Sequence, residues 1–107
     1  MGKELATWGE RSSFEYDGSV ASGTSIRFGE NGRQLVTREQ YIALLAHFKG
    51  RTVDIGTSRD DPPEDSVGAW LQEHVTRIAI ASYVGSILVA EGYAERVPLE
   101  RSRIRFK

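Results

Sequence analysis

The clearest periodic stretch in the chain is Tyr41, Leu44, Leu45 and Phe48, apolar positions at i, i+3, i+4 and i+7. Thr37 and Gln40 precede it at capping-box spacing, and Gly50 after Lys49 supplies a left-handed stop, so a helix is predicted over 38–49. The stretch Arg51–Thr57 then reads as a short strand with Val53 and Ile55 on one face. Next comes Arg59-Asp-Asp-Pro-Pro-Glu-Asp65, predicted to be a solvated loop because consecutive prolines continue neither a helix nor a ladder.

Asp65 or Ser66 is placed to cap a second helix over 67–75, whose narrow apolar face is Val67, Trp70, Leu71 and His74 or Val75. A turn at Thr76-Arg77 would lead into a third helix from Ile78 to Glu91, closed by Gly92. No Gly or Pro at 74–78 forces that break, so one continuous helix from 67 to 91 stays open as the alternative. Gly85 inside the third helix costs roughly 1 kcal/mol against alanine and points to a close approach, by another helix or by a bound polymer. The chain ends as strand 93–97, loop 98–102 and strand 103–107.

The N-terminal third is patterned less regularly. Ser25–Phe28 alternates, Gly29-Glu-Asn-Gly32 turns and Arg33–Val36 follows, a predicted hairpin. Asp17-Gly18 after Ser13–Tyr16 signals another turn. Residues 1–12 carry only Trp8 as a large apolar group. Docking and fraying both fit that segment.

Composition narrows the class. With 107 residues, 39% hydrophobic and 27% charged, the chain reads as one globular domain. Having no cysteine, it lacks disulfides and thiolate chemistry. The start has no secretory pattern and no apolar run is long enough to span a bilayer, so a soluble cytoplasmic protein without membrane contact is expected. Net charge is −1, but residues 1–65 carry eight Lys/Arg against eleven Asp/Glu, while residues 66–107 carry six against four. The positive charge gathers in Arg96, Arg101, Arg103, Arg105 and Lys107, opposed there by Glu100 alone.

From residue 38 the order is helix, short strand, helix, helix, strand, strand. This arrangement resembles a winged helix-turn-helix domain. The stretch from Val75 to Val97 is similar to that family's recognition helix running into its wing: Thr76-Arg77 near the helix start, a regularly apolar helix, then Glu91-Gly92-Tyr93 into a strand ending Glu95-Arg96-Val97. The resemblance implies an α+β fold in which residues 37–107 form a winged-helix-like body and residues 1–36 a β-hairpin arm packed on it. It also implies DNA binding of a regulatory or accessory kind, such as transcription regulation. Arg77, Ser82 and Ser86 would line the groove-facing helix, and Arg96, Arg101, Arg103 and Arg105 would meet phosphates on the wing. The helix departs from the family in offering no Lys, Asn or Gln to base edges, so contact is expected mainly with the backbone, through the ribbon. The competing reading is a protein–protein module, a homodimeric adaptor with the same fold.

Other chemistries find little footing. His47 and His74 lack zinc spacing, and Asp60, Asp61, Glu64 and Asp65 lack calcium-loop order. Gly29–Gly32 lacks the Lys and Ser/Thr of a phosphate loop, and no serine sits in a nucleophile elbow. No enzyme activity, metal or cofactor is expected.

Overall fold

The computed structural model describes residues 2–107. Its architecture is mixed α and β, with three helices and two antiparallel sheets. The first sheet is a meander of β1 (Lys3–Ala6), β2 (Ser13–Ser19), β3 (Gly23–Phe28) and β4 (Gly32–Thr37) in the order β1-β2-β3-β4. The second has the order β5-β7-β6, formed by β5 (Thr52–Asp54), β6 (Ala94–Val97) and β7 (Glu100–Phe106). In chain order α1 (Arg38–Phe48) separates β4 from β5, and α2 (Val67–His74) and α3 (Ala81–Ala90) separate β5 from β6.

The expected hairpin is present, with Phe28 opposite Gly32 and Gly23 opposite Thr37. The N-terminal arm is nonetheless more than that hairpin. Strand β2 runs straight through Asp17-Gly18, pairing Gly18 with Thr24, and the chain reverses at Val20–Ser22 instead. Gly18 does have a positive φ of 87°, the conformational freedom that made Asp-Gly read as a turn. A side chain there would collide with the Gly23 carbonyl across the ladder, so glycine serves strand contact rather than reversal. One face of this sheet is apolar, with Phe14, Tyr16, Ile26 and Val36 buried. Its other face carries Glu15, Asp17, Arg27 and Leu35.

Helix α1 begins as its pattern dictates. Thr37 Oγ1 accepts from the Gln40 backbone at 3.1 Å, and Gln40 Oε1 accepts from the Thr37 backbone at 2.9 Å. Ser66 caps α2, its hydroxyl accepting from Ala69 N at 3.1 Å. The chain between α2 and α3 is broken, which decides against one continuous helix. The break is longer than the turn at 76–77: α3 starts at Ala81 rather than Ile78, leaving Arg77 in the connecting segment. At the C-terminus the turn is shorter than expected. Val97 pairs with Glu100, so Pro98-Leu99 is the whole tip and β7 starts three residues earlier than predicted.

Ile104 and Phe106 of β7 point inward with Val53 of β5, all buried. Phe106 stacks on Phe48 of α1 with ring centroids 5.2 Å apart. A single apolar cluster runs from Phe14 and Ile26 of the first sheet through Leu44, Leu71 and Leu88 of the helices to Ile104. No helix among the described residues is long and apolar enough to cross a membrane.

Candidate nucleic-acid interface

Helix α3 is covered rather than displayed. Of its ten residues only Ala90 is exposed, while Ala81, Val84, Gly85, Ser86, Ile87 and Leu88 are buried. The first sheet and the segment after β1 supply the cover. Tyr83 stacks on Phe28 at 4.8 Å and meets Phe14 edge-on at 5.1 Å. Glu91, just past the helix end, accepts the Tyr16 hydroxyl at 2.8 Å and the Val20 backbone N–H at 2.9 Å. Burial first, then the Glu91 carboxylate, pushes the Tyr16 phenol above its ordinary range.

Trp8 closes the remaining side. It docks, resolving the question its isolated position left open, and is only 5% exposed. Its backbone N–H donates to Ser82 O at 3.0 Å and Oγ at 3.1 Å, and its indole Nε1–H donates to Arg101 O at 2.7 Å. Ser86 turns back to donate to Ser82 O at 3.2 Å. Ser82 and Ser86, expected to line a groove-facing surface, therefore face the N-terminal segment. The close approach that Gly85 signalled comes from Trp8 and from Ile55.

The arginines expected on the wing divide by what they touch. Alternation sends Arg103 and Arg105 to the face opposite Ile104 and Phe106, while ahead of them the ladder to β6 slips at Arg96/Val97 and Glu100, Arg101 and Ser102 are all exposed. Arg101 is exposed, its backbone carbonyl accepts from Trp8, and its side chain makes no hydrogen bond or ion pair among the described residues. Arg103 Nη2 donates to Thr52 O at 2.8 Å. Arg105 pairs with Glu95, its cross-strand neighbour, at 3.0 Å. Arg96 is drawn elsewhere, its guanidinium 4.1 Å from the Trp8 ring centroid and 3.9 Å from Glu10. Arg103 and Arg105 thus stand on one face of the middle strand, with Asp54 on β5 opposite Arg103 and Glu95 on β6 opposite Arg105, and Arg101 lies exposed in the irregular stretch before them.

The fold also assembles a groove that the linear text kept apart. His47 and His74 flank Trp70, with ring separations of 6.4 Å and 4.4 Å. Glu64, Asp65 and Glu73 line its rim. Arg51 pairs with Asp65, and His47 Nε2 lies 3.7 Å from the same carboxylate. A helical periodicity for Trp70 and His74 was legible, but their meeting with His47 depends on the fold bringing the last turn of α1 to Trp70 of α2. Among the described residues no group of three His, Cys, Asp or Glu side chains is arranged to hold a metal ion.

The chain matches no protein-family model, no curated protein and no solved structure.

Proposed function

We propose that the protein binds nucleic acid, duplex DNA foremost, through the phosphate backbone, and that α1 to β7 is a winged-helix type of body. The element order and a strand order with β7 between β5 and β6 support the fold class. The binding reading is carried by one observation: Arg101, Arg103 and Arg105 are gathered along β7, with Arg101 and Arg105 exposed. A guanidinium has five donors, so the exposed Arg105 keeps others for phosphate oxygens beyond its bond to Glu95, whereas Arg103 is half-buried with its Nε enclosed and unpartnered. Half-exposed pairs such as Arg105–Glu95 are worth little and exchange readily for a phosphate partner. Helix α3 serves as the central core helix in this reading, and base recognition is not among its tasks. Arg77, exposed in the segment before α3, is a further phosphate candidate.

The test is fluorescence anisotropy of a short labelled DNA duplex across a salt series. Three phosphate contacts give a slope of log K against log salt of about −3, and Arg101→Ala with Arg105→Ala reduces its magnitude by about two. A chain that shows no binding to duplex, single strand or RNA at low salt sinks the proposal.

A second reading, a protein–protein module acting as a homodimeric adaptor, is favoured by the covering of α3. Light scattering that gives a dimer, unaffected by charge reversal at Arg101 and Arg103, would support it over nucleic-acid binding.

A further inference from the structure

The groove that joins His47 to His74 sets flat aromatic walls against a negative rim. It has a volume of about 790 Å³. Trp70 and His74 stack at 4.4 Å with their planes 21° apart, and His47 meets Phe48 edge-on at 4.6 Å. Glu64, Asp65 and Glu73 stand on the rim. Asp65 is taken by Arg51, but Glu64 and Glu73 are exposed, and their carboxylates make no hydrogen bond or ion pair among the described residues. His74 adds another acceptor. Its Nδ1 lies 3.0 Å from the Trp70 carbonyl oxygen, which can only accept, so Nδ1 carries the proton and Nε2 of the neutral ring keeps its lone pair.

Such a rim repels phosphates and carboxylates, and no three side chains among the described residues are arranged for a metal ion. A cation with a flat face and several N–H donors suits both the walls and the rim. The chain itself supplies the precedent: the Arg51 guanidinium is held by Asp65 and lies 5.5 Å from the Phe48 ring centroid, and Asp65 and Phe48 both line the groove. We infer that the groove binds a second guanidinium, laid against the aromatic wall and held by Glu64 and Glu73. A guanidinium is favoured over an ammonium because its plane matches the rings and its forked donors reach two acceptors at once. It is carried either by a small solute or by an arginine of another polypeptide, with the same chemistry in both. The site needs nothing from β7, so it stands or falls apart from the proposed phosphate contacts.

The experiment titrates the full chain with four probes at constant ionic strength: N-acetylarginine methylamide, methylguanidinium, and the lysine and citrulline counterparts of the first. Side-chain NMR signals of His47, His74 and Trp70 report the groove, with the Trp8 indole as the internal control. The arginine probe is expected to move the three groove signals and leave Trp8 in place. Glu64→Gln combined with Glu73→Gln should weaken that binding about fivefold. Both positions are exposed, so the double variant keeps the thermal midpoint of wild type. Added salt should weaken binding in wild type more than in the double variant. Methylguanidinium binding as well as the arginine probe supports the site and assigns it to a free solute; binding of the arginine probe alone supports it and assigns it to a polypeptide side chain. Equal binding of the lysine probe overturns recognition of a planar cation, and equal binding of the neutral citrulline probe overturns recognition of charge. A double variant that binds as wild type does removes Glu64 and Glu73 from the site. If no probe moves the groove signals, the inference is overturned outright.

Discussion

Trp8 and Gly85 form the two halves of one contact: the indole lies where a side chain on Gly85 would be. A β-carbon built at Gly85 would come within 2.9 Å of Trp8 Cε3 and 2.6 Å of Ile55 Cδ1. The residue that weakens α3 locally is therefore the one that lets the N-terminal segment seal it. The same segment ties Ser82 and, through the indole N–H, the start of β7 at the Arg101 carbonyl. Cover, helix and ribbon are joined at a single aromatic ring.

Gly85→Ala tests that complementarity. Alanine improves helix propensity by about 1 kcal/mol, but overpacking costs about 1–3 kcal/mol, and a net loss is expected in urea unfolding. Ile55→Val removes the nearest methyl, so the double variant should recover part of the loss, as a double-mutant cycle would reveal. An alanine variant more stable than wild type would mean that the ring moves aside freely.

Glu91 is the other tie between the first sheet and α3. Glu91→Ala removes an acceptor from Tyr16 Oη and leaves the Val20 N–H without its partner. The expected cost is about 2–3 kcal/mol in denaturant unfolding, because both bonds involve a charged acceptor. Glu91→Gln, which keeps an oxygen in place, should lose less.

Alkaline pH should unfold the protein through its tyrosines. The phenols of Tyr16, Tyr41 and Tyr83 are all held above the ordinary value of 10.0, each chiefly by burial. Such a group ionises more readily unfolded than folded, so its contribution is complete below about pH 10 and is lost as pH rises above that. Thermal midpoints should be flat from neutral pH to about pH 9 and fall beyond about pH 10. Tyr41→Phe should make that fall shallower.

The carboxylates beside the β7 arginines should restrain binding. Glu95→Gln frees Arg105 and removes a negative charge from the same face. On the phosphate reading it raises duplex affinity about threefold at low salt, with the gain shrinking as salt increases. Unchanged or weaker binding would place the contact away from β7.

Much of the body was legible because short-range rules settle it. The capping box at Thr37 and Gln40, the stop at Gly50, the Ser66 cap and the inward Ile104 and Phe106 are each matters of a few neighbouring residues. The N-terminal sheet was harder, since Lys3–Ala6 and Ser13–Ser19 alternate weakly and gain their burial from partners across the ladder. The Asp17-Gly18 turn misled for a related reason: positive φ at glycine serves a bend or a close approach, and only the strand beside it distinguishes them.

Periodicity and local spacing thus determined the caps of α1 and α2, the inward Ile104 and Phe106, and that something must approach Gly85 closely. Tertiary structure alone decided what approaches it. Whether Ser82, Ser86 and Gly85 face solvent depends on where Trp8, more than seventy residues earlier, comes to rest. That position is set by apolar burial of the whole first sheet against α3, a long-range balance that no window of the chain contains.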